Sequence, residues 1–241
     1  MPEYRVGCAG WSIPKAQRSE FPDSGSHLQR YAARFSTVEI NSSFYNAHRP
    51  ATYSRWAASV PDDFRFAAKI PKTITHKKRL IDTDTVLDAF LAEVGCLGSK
   101  LGCLLVQLPP SLTYDAPTVR RFLEAFRTRY AGALVVEARH PSWFTPEVTS
   151  HFSAQHVGQV AADPAVVPEA AEPAGWLDTV YLRLHGSPHV YYSTYDEPYL
   201  EQLAGRMRAY AARAREVWCI FDNTALFAAT PNALSLLARL V

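Results

Sequence analysis

The feature that most constrains this chain is a repeated alternation of short apolar, β-branched runs with stretches of helical periodicity. The clearest run is Cys103-Leu104-Leu105-Val106-Gln107-Leu108, apolar at nearly every position and stopped by Pro109-Pro110. A strand with one wet face alternates polar and apolar residues, whereas one apolar on both faces belongs in a parallel sheet covered on both sides. Similar runs occupy residues 4–10, 37–41, 65–70, 133–139, 179–186 and 216–223, with a weaker one at 158–163. Helix starts separate them. Ser26, Asp115 and either Thr83 or Asp84 are N-cap residues, and Pro50, Thr145-Pro146 and Thr230-Pro231 place proline at a first turn. Another helix is expected over about 198–214. Residues 165–175, rich in Ala, Pro and Glu, predict an irregular connection or at most a short helix.

Eight strand–helix units in 241 residues predict an α/β fold, a (β/α)8 barrel of the TIM type with an irregular or missing sixth helix. A doubly wound open sheet is the alternative, but no GxGxxG follows the first strand. The absence of a linker or repeat predicts one domain over residues 1–241. The start, Met1-Pro2-Glu3-Tyr4-Arg5, has no basic region followed by an apolar run, so no signal peptide is expected. No apolar run reaches membrane-spanning length, and no membrane partner is expected. The four cysteines form no CxxC pair and read as reduced thiols of a cytoplasmic protein. A net charge of +2 makes nucleic acid an unlikely partner, although Lys69, Lys72, Lys77, Lys78 and Arg79 form a local basic stretch.

Barrel enzymes gather their active sites at the C-terminal ends of the strands. Here each strand turns polar near its exit. The second gives Glu39 and Asn41, the third Lys69, the fourth Gln107, and the fifth Glu137 and Arg139. The sixth gives Asp163, the seventh Arg183 and His185, and the eighth Asp222 and Asn223. Side chains two apart in a strand share a face, so Glu39 and Asn41 point together into the barrel. Each of these groups alone could be one half of a buried ion pair without a chemical role. Collectively they are too many charges to bury without solvent or ligand.

Glu39 and Glu137 could serve as general acid and base, with Lys69 and His185 as further catalytic groups. Lys69 could bind an anion or form a Schiff base, and pairing with Glu39 is the plainer alternative. Trp11, Tyr45 and Trp143, just beyond strand ends, suit an aromatic wall around a sugar or base ring. His76, Asn41, Gln107, Arg139, Asp163, Arg183 and Asn223 complete the expected substrate contacts. A metal constellation of Glu39, Glu137, Asp163 and His185 is conceivable, but no local ligand spacing marks it and no cofactor can be named. HExxH, P-loop and GxSxG motifs are absent.

Ordered stretches of the chain are similar to those of a known family. They are Gly7-Cys8-Ala9-Gly10-Trp11, residues 37–45 (TVEINSSFY), residues 64–69 (FRFAAK), Thr75-His76, residues 101–111 (LGCLLVQLPPS), Glu137-Ala138-Arg139-His140-Pro141-Ser142-Trp143, residues 181–186 (YLRLHG) and Phe221-Asp222-Asn223-Thr224. On these the chain resembles domain-of-unknown-function family 72, the YecE-like proteins, over nearly its whole length. The resemblance implies a TIM-type barrel and no established reaction. The chain departs from the usual motifs at Ala138, where a large residue is common, and at Asp222, where the usual pattern reads Phe-Asn-Asn. The region after the first strand is also short.

The sequence thus predicts an enzyme acting on a small anionic or polyhydroxylated substrate, a sugar or phosphorylated metabolite, by carboxylate chemistry. Hydrolase, lyase and isomerase all remain open. The rivals are a metal-dependent phosphodiesterase or isomerase, and a non-catalytic protein that binds a ligand or nucleic acid.

Overall fold

The doubly apolar runs do pair in parallel, with one register shift between β3 and β4 at Phe66/Ala67. A computed structural model describes residues 3–240; Met1, Pro2 and Val241, and with them part of the leader reading, lie outside the described residues. The strands are β1 (Glu3–Cys8), β2 (Thr37–Ile40), β3 (Arg65–Lys69), β4 (Leu101–Gln107), β5 (Ala133–Glu137), β6 (Val157–Gln159), β7 (Ala161–Asp163), β8 (Ala174–Gly175), β9 (Thr179–Leu184) and β10 (Glu216–Phe221). Between them lie α1 (His27–Ala32), α2 (Pro50–Ala58), α3 (Asp84–Val94), α4 (Ala116–Arg127), α5 (Pro146–Ala154), α6 (Glu197–Ala211) and α7 (Ala229–Leu240).

The strands form two sheets, one ordered β2-β3-β4-β5-β6-β8 and the other β1-β10-β9-β7. Both belong to one ring of the TIM type. At one seam Ala9 forms a parallel bridge to Glu39, and the Gly10 N–H donates to the Glu39 carbonyl at 2.9 Å. At the other, β6 and β7 are two halves of the sixth barrel strand, separated only by Val160. β6 pairs with β5 and β7 with β9, so the chain passes from one sheet to the other at that residue. The weak alternation at 158–163 had this cause. No helix forms over 165–175; a 3-10 turn, Pro168–Ala171, and the two-residue β8 fill the sixth connection.

The caps read from sequence close helices as expected. The Ser26 hydroxyl accepts from the Gln29 N–H in a full capping box, and Asp115 and Thr145 accept from Thr118 and Val148. Thr83 precedes α3 without a side-chain cap bond. Inside the ring, Ala67, Cys103, Leu105, Val135, Val160, Tyr181, Trp218 and Ile220 form a packed plug. Tyr181 and Trp218 stack with centroids 5.9 Å apart. This plug floors the wider, polar end.

The first seam demands a close approach of backbone to backbone. A Cβ on Gly7 would lie 2.2 Å from the Thr37 carbonyl oxygen. Gly7→Ala should therefore force β1 and β2 apart and lose about 1–3 kcal/mol or more by urea unfolding. Unchanged stability would show that this seam does not constrain closure.

Candidate functional site

Alternation along β9 places Val180, Leu182 and Leu184 in the outer core and turns Tyr181 and Arg183 inward. Alternation along β2 turns Glu39 inward between Val38 and Ile40. The Arg183 guanidinium grips Glu39 with two prongs, Nη2 donating to Oε1 at 2.7 Å and Nε to Oε2 at 3.0 Å. The Tyr181 hydroxyl donates to the same Oε2 at 2.8 Å. Both oxygens of Glu39 are occupied, and Glu39 and Arg183 are fully buried. Planar guanidinium and carboxylate make the strong bidentate form of the ion pair.

Arg183 also reaches two other carboxylates. Its Nη1 donates to Glu137 Oε2 at 3.1 Å, and its Nη2 lies 3.1 Å from Asp222 Oδ2. One cation thus serves three acids, two on strands β2 and β5 and one just beyond β10. Burial alone would lower the Arg183 pKa, but Asp222, Glu39 and Glu137 raise it well above its ordinary value. Burial alone would raise the Glu137 carboxyl; His185, Arg183 and Arg139 reverse this and hold it well below the usual range. Asp222 is lowered likewise, burial opposing and Arg183 prevailing. Glu137 and Asp222 are therefore firm anions.

The His185 ring lies between two acids, Nδ1 at 3.0 Å from Asp222 Oδ2 and Nε2 at 2.8 Å from Glu137 Oε1. Arg139 Nη2 approaches Nε2 to 2.7 Å and Glu137 Oε1 to 2.6 Å. Nε2 with a proton suits Glu137; Nε2 with a lone pair suits Arg139. Such a triangle can hold a proton in either of two places, the arrangement that acid–base chemistry needs.

Above this buried ring stand groups with free valences. The Lys69 ammonium lies 4.0 Å over the Phe44 ring, and it has no carboxylate within 4.0 Å among the described residues. Burial lowers its pKa, Arg183 adds to this, and three carboxylates offset it only partly, leaving a value of about 8. Arg139 Nε and Asn41 Oδ1 are buried without a hydrogen-bond partner among the described residues. Gln107 ends β4 opposite Glu137 in register. His76 packs edge-on against Phe44, its pKa lowered by burial and then by Lys69 and Lys72.

Of the residues expected at the site, Glu39, Glu137, Arg139, Arg183 and His185 come into direct contact, and Lys69 feels their charges. Five others stand apart from this cluster. Trp143 is 1% exposed and donates its indole N–H to the Leu112 carbonyl at 2.7 Å, so it anchors loops. Asp163 accepts from the Tyr195 hydroxyl at 2.8 Å. The Asn223 amide donates to Ser193 and Asn232. Trp11 packs edge-on against Trp56. Tyr45 is exposed and lies under Lys72. Tyr181 was absent from the expected set, and Asp222, read as a polar strand exit, had been given no catalytic or substrate-binding role. Both obey the two-residue alternation, Asp222 following inward Trp218 and Ile220, and Tyr181 preceding Arg183.

The metal constellation weighed from sequence does not assemble. No three His, Cys, Asp or Glu side chains among the described residues are arranged to share a cation. Asp222 and Glu137 lie at opposite nitrogens of His185, and guanidinium groups occupy their oxygens.

The sequence profile of the family described as protein of unknown function DUF72 matches residues 5–241. The chain is 32% identical over 140 residues to the UPF0759 protein YecE of Escherichia coli K12, covering 58% of this chain and 49% of that protein. It is 26% identical over 147 residues to the UPF0759 protein YunF of Bacillus subtilis, of which 52% is covered. The chain spans about half the length of the curated relatives it matches. A crystal structure of a DUF72 protein from Enterococcus faecalis superposes with a TM-score of 0.83 at 21% identity, covering 98% of this chain and 95% of that one. One from Thermotoga maritima gives 0.81 at 25% identity, covering 99% of each.

Proposed function

Since the chain belongs to the DUF72 family, whose description assigns no reaction, we propose from its site that it is an enzyme acting on a small anionic, hydroxyl-bearing substrate. The observation that carries this reading is the contrast between a satisfied ring and an unsatisfied rim. Glu39, Arg183, Asp222 and Tyr181 form one bonded network, while among the described residues Arg139 Nε and Asn41 Oδ1 are buried without a hydrogen-bond partner and Lys69 Nζ has no carboxylate within 4.0 Å. A buried donor or acceptor left unpaired costs about 1–3 kcal/mol. A ligand carrying phosphate or carboxylate and hydroxyl groups satisfies all three. Arg139 and Lys69 take the anion, and Asn41 accepts from a hydroxyl.

In this reading the acid–base roles are redistributed. Glu39, with both oxygens bound, is a positioning residue for Arg183. The proton passes at the Glu137–His185 pair, and Asp222 fixes the imidazole through Nδ1.

The test is a thermal-shift and titration screen of sugar phosphates, hydroxy acids and oxo acids. A ligand at a hundredfold over its Kd stabilises the fold by about 2.7 kcal/mol, a shift of roughly 5–10 °C for a chain of this size. At least one anion is expected to do this with wild type and to lose most of the shift with Arg139→Met. An anion that shifts both proteins equally, or a panel in which no anion binds, counts against the proposal.

A further inference from the structure

The rim contains an amine for which anion binding alone gives an incomplete account. Lys69 is 4% exposed and stands at the end of β3 on the inner face, two residues above Ala67 of the barrel plug. Its backbone is fixed from the turn after β2, because the Ser43 hydroxyl lies 2.7 Å from the Lys69 carbonyl and 2.9 Å from that of Ile40, sharing its proton between them. Three carboxylates act on the ammonium through space, yet each is already held by Arg183. A lysine kept only for charge would gain from closing one of those gaps. This one is held short of them, over the face of Phe44.

We infer that Lys69 is a nucleophile that condenses with the carbonyl group of a small oxo acid or phosphorylated aldehyde or ketone, forming an imine. This deepens the reading of the site given above and rests on it, since the anion of the substrate docks on Arg139. The amine lone pair adds to the carbonyl carbon, the C=O pair moves to oxygen, and that oxygen takes a proton. Loss of this oxygen as water forms the C=N bond. Ammonium plus carbonyl gives iminium plus water, so charge and protons balance without a further reactant. The iminium replaces the ammonium charge for charge beside Glu137 and Asp222. It also acidifies the adjacent C–H, where the Glu137–His185 pair can take a proton.

The low pKa supports this. At pH 7 a lysine of pKa about 8 is about one-tenth free amine, against less than about one part in a thousand for an ordinary lysine.

The experiment is reductive trapping. Wild type is incubated at pH 7 with glyoxylate and cyanoborohydride, and the sites of carboxymethylation are mapped by peptide mass. The chain has only six lysines, so the background is small. The expected result is modification at Lys69 at least tenfold faster than at Lys15, Lys72, Lys77 or Lys78, slowed severalfold in Arg139→Met, with the α-amino group as internal comparison. Lys69→Arg should lose the fast adduct while still folding. Modification of Lys69 no faster than of the exposed lysines overturns the imine. If the anion screen succeeds in that case, the proposed function stands without it; if both fail, the reading of the site falls too.

Discussion

Arg183→Met will be strongly destabilised, by about 3–5 kcal/mol in urea unfolding at pH 7, and a marginal fold will be lost outright. Methionine fills much of the arginine volume, so the loss is electrostatic in origin. The substitution leaves Glu39 with a single Tyr181 hydroxyl and deprives Glu137 and Asp222 of a shared cation, all three being buried. The pH dependence distinguishes this from a packing defect. In wild type the Glu137 and Asp222 pKa values are depressed. Their contribution is therefore present above the ordinary carboxylate range and lost as pH falls through their folded values, in acid below about 4. In the variant the folded state takes up protons more readily, since burial now acts against fewer cations. The stability gap should narrow between pH 7 and pH 5. A gap below about 1 kcal/mol, or one that does not change with pH, would refute this origin of the loss.

Lys69→Met should do the reverse. An ammonium in this position costs stability, because folding displaces its pKa from 10.5 to about 8. Each pH unit of displacement corresponds to about 1.4 kcal/mol, and allowing for relaxation the variant should be more stable at pH 7 by on the order of 2 kcal/mol. The sign follows from proton binding. Below pH about 8 both folded and unfolded wild type carry the proton, and the cost is complete. Between there and 10.5 only the unfolded chain holds it, so wild-type stability rises with pH and the advantage of the variant fades. Unfolding at pH 7 and pH 9.5 checks this. A more stable variant, together with fast trapping of Lys69 in wild type, is the signature of a residue kept for chemistry. A variant less stable than wild type at pH 7 shows that Lys69 is structural.

The fold was legible because its signals are local and repeat. Doubly apolar runs such as 103–108, caps at Ser26, Asp115 and Thr145, and proline at first turns each say the same thing independently. The sixth strand was the weakest reading because its halves pair with different neighbours across Val160, and no period in the sequence encodes a change of partner. At the site, Glu39, Glu137, Arg139, Arg183 and His185 were legible from a single rule, polar residues at the exits of apolar strands. The rule failed where a polar side chain turns aside. Asp163 goes to Tyr195, Asn223 goes to Asn232, and Trp143 packs inward against Leu112. Those outcomes depend on loop paths. Asp222 was read as a strand exit beside Asn223, but only Asn223 was given a substrate contact, although alternation from Trp218 and Ile220 distinguishes the two.

Among the described residues the two sheets meet through a bridge at Ala9–Glu39 and a continuous strand at Val160. The charged ring crosses the same divide, with Glu39 and Glu137 on one sheet and Arg183, His185 and Asp222 borne by or just beyond the strands of the other. Holding the halves together and holding the reactive groups in place are therefore a single task performed by the same atoms. Selection cannot drift at one without disturbing the other. A lineage that changed its chemistry would have to replace these residues as a matched set, by reciprocal exchanges in both halves, and not one position at a time.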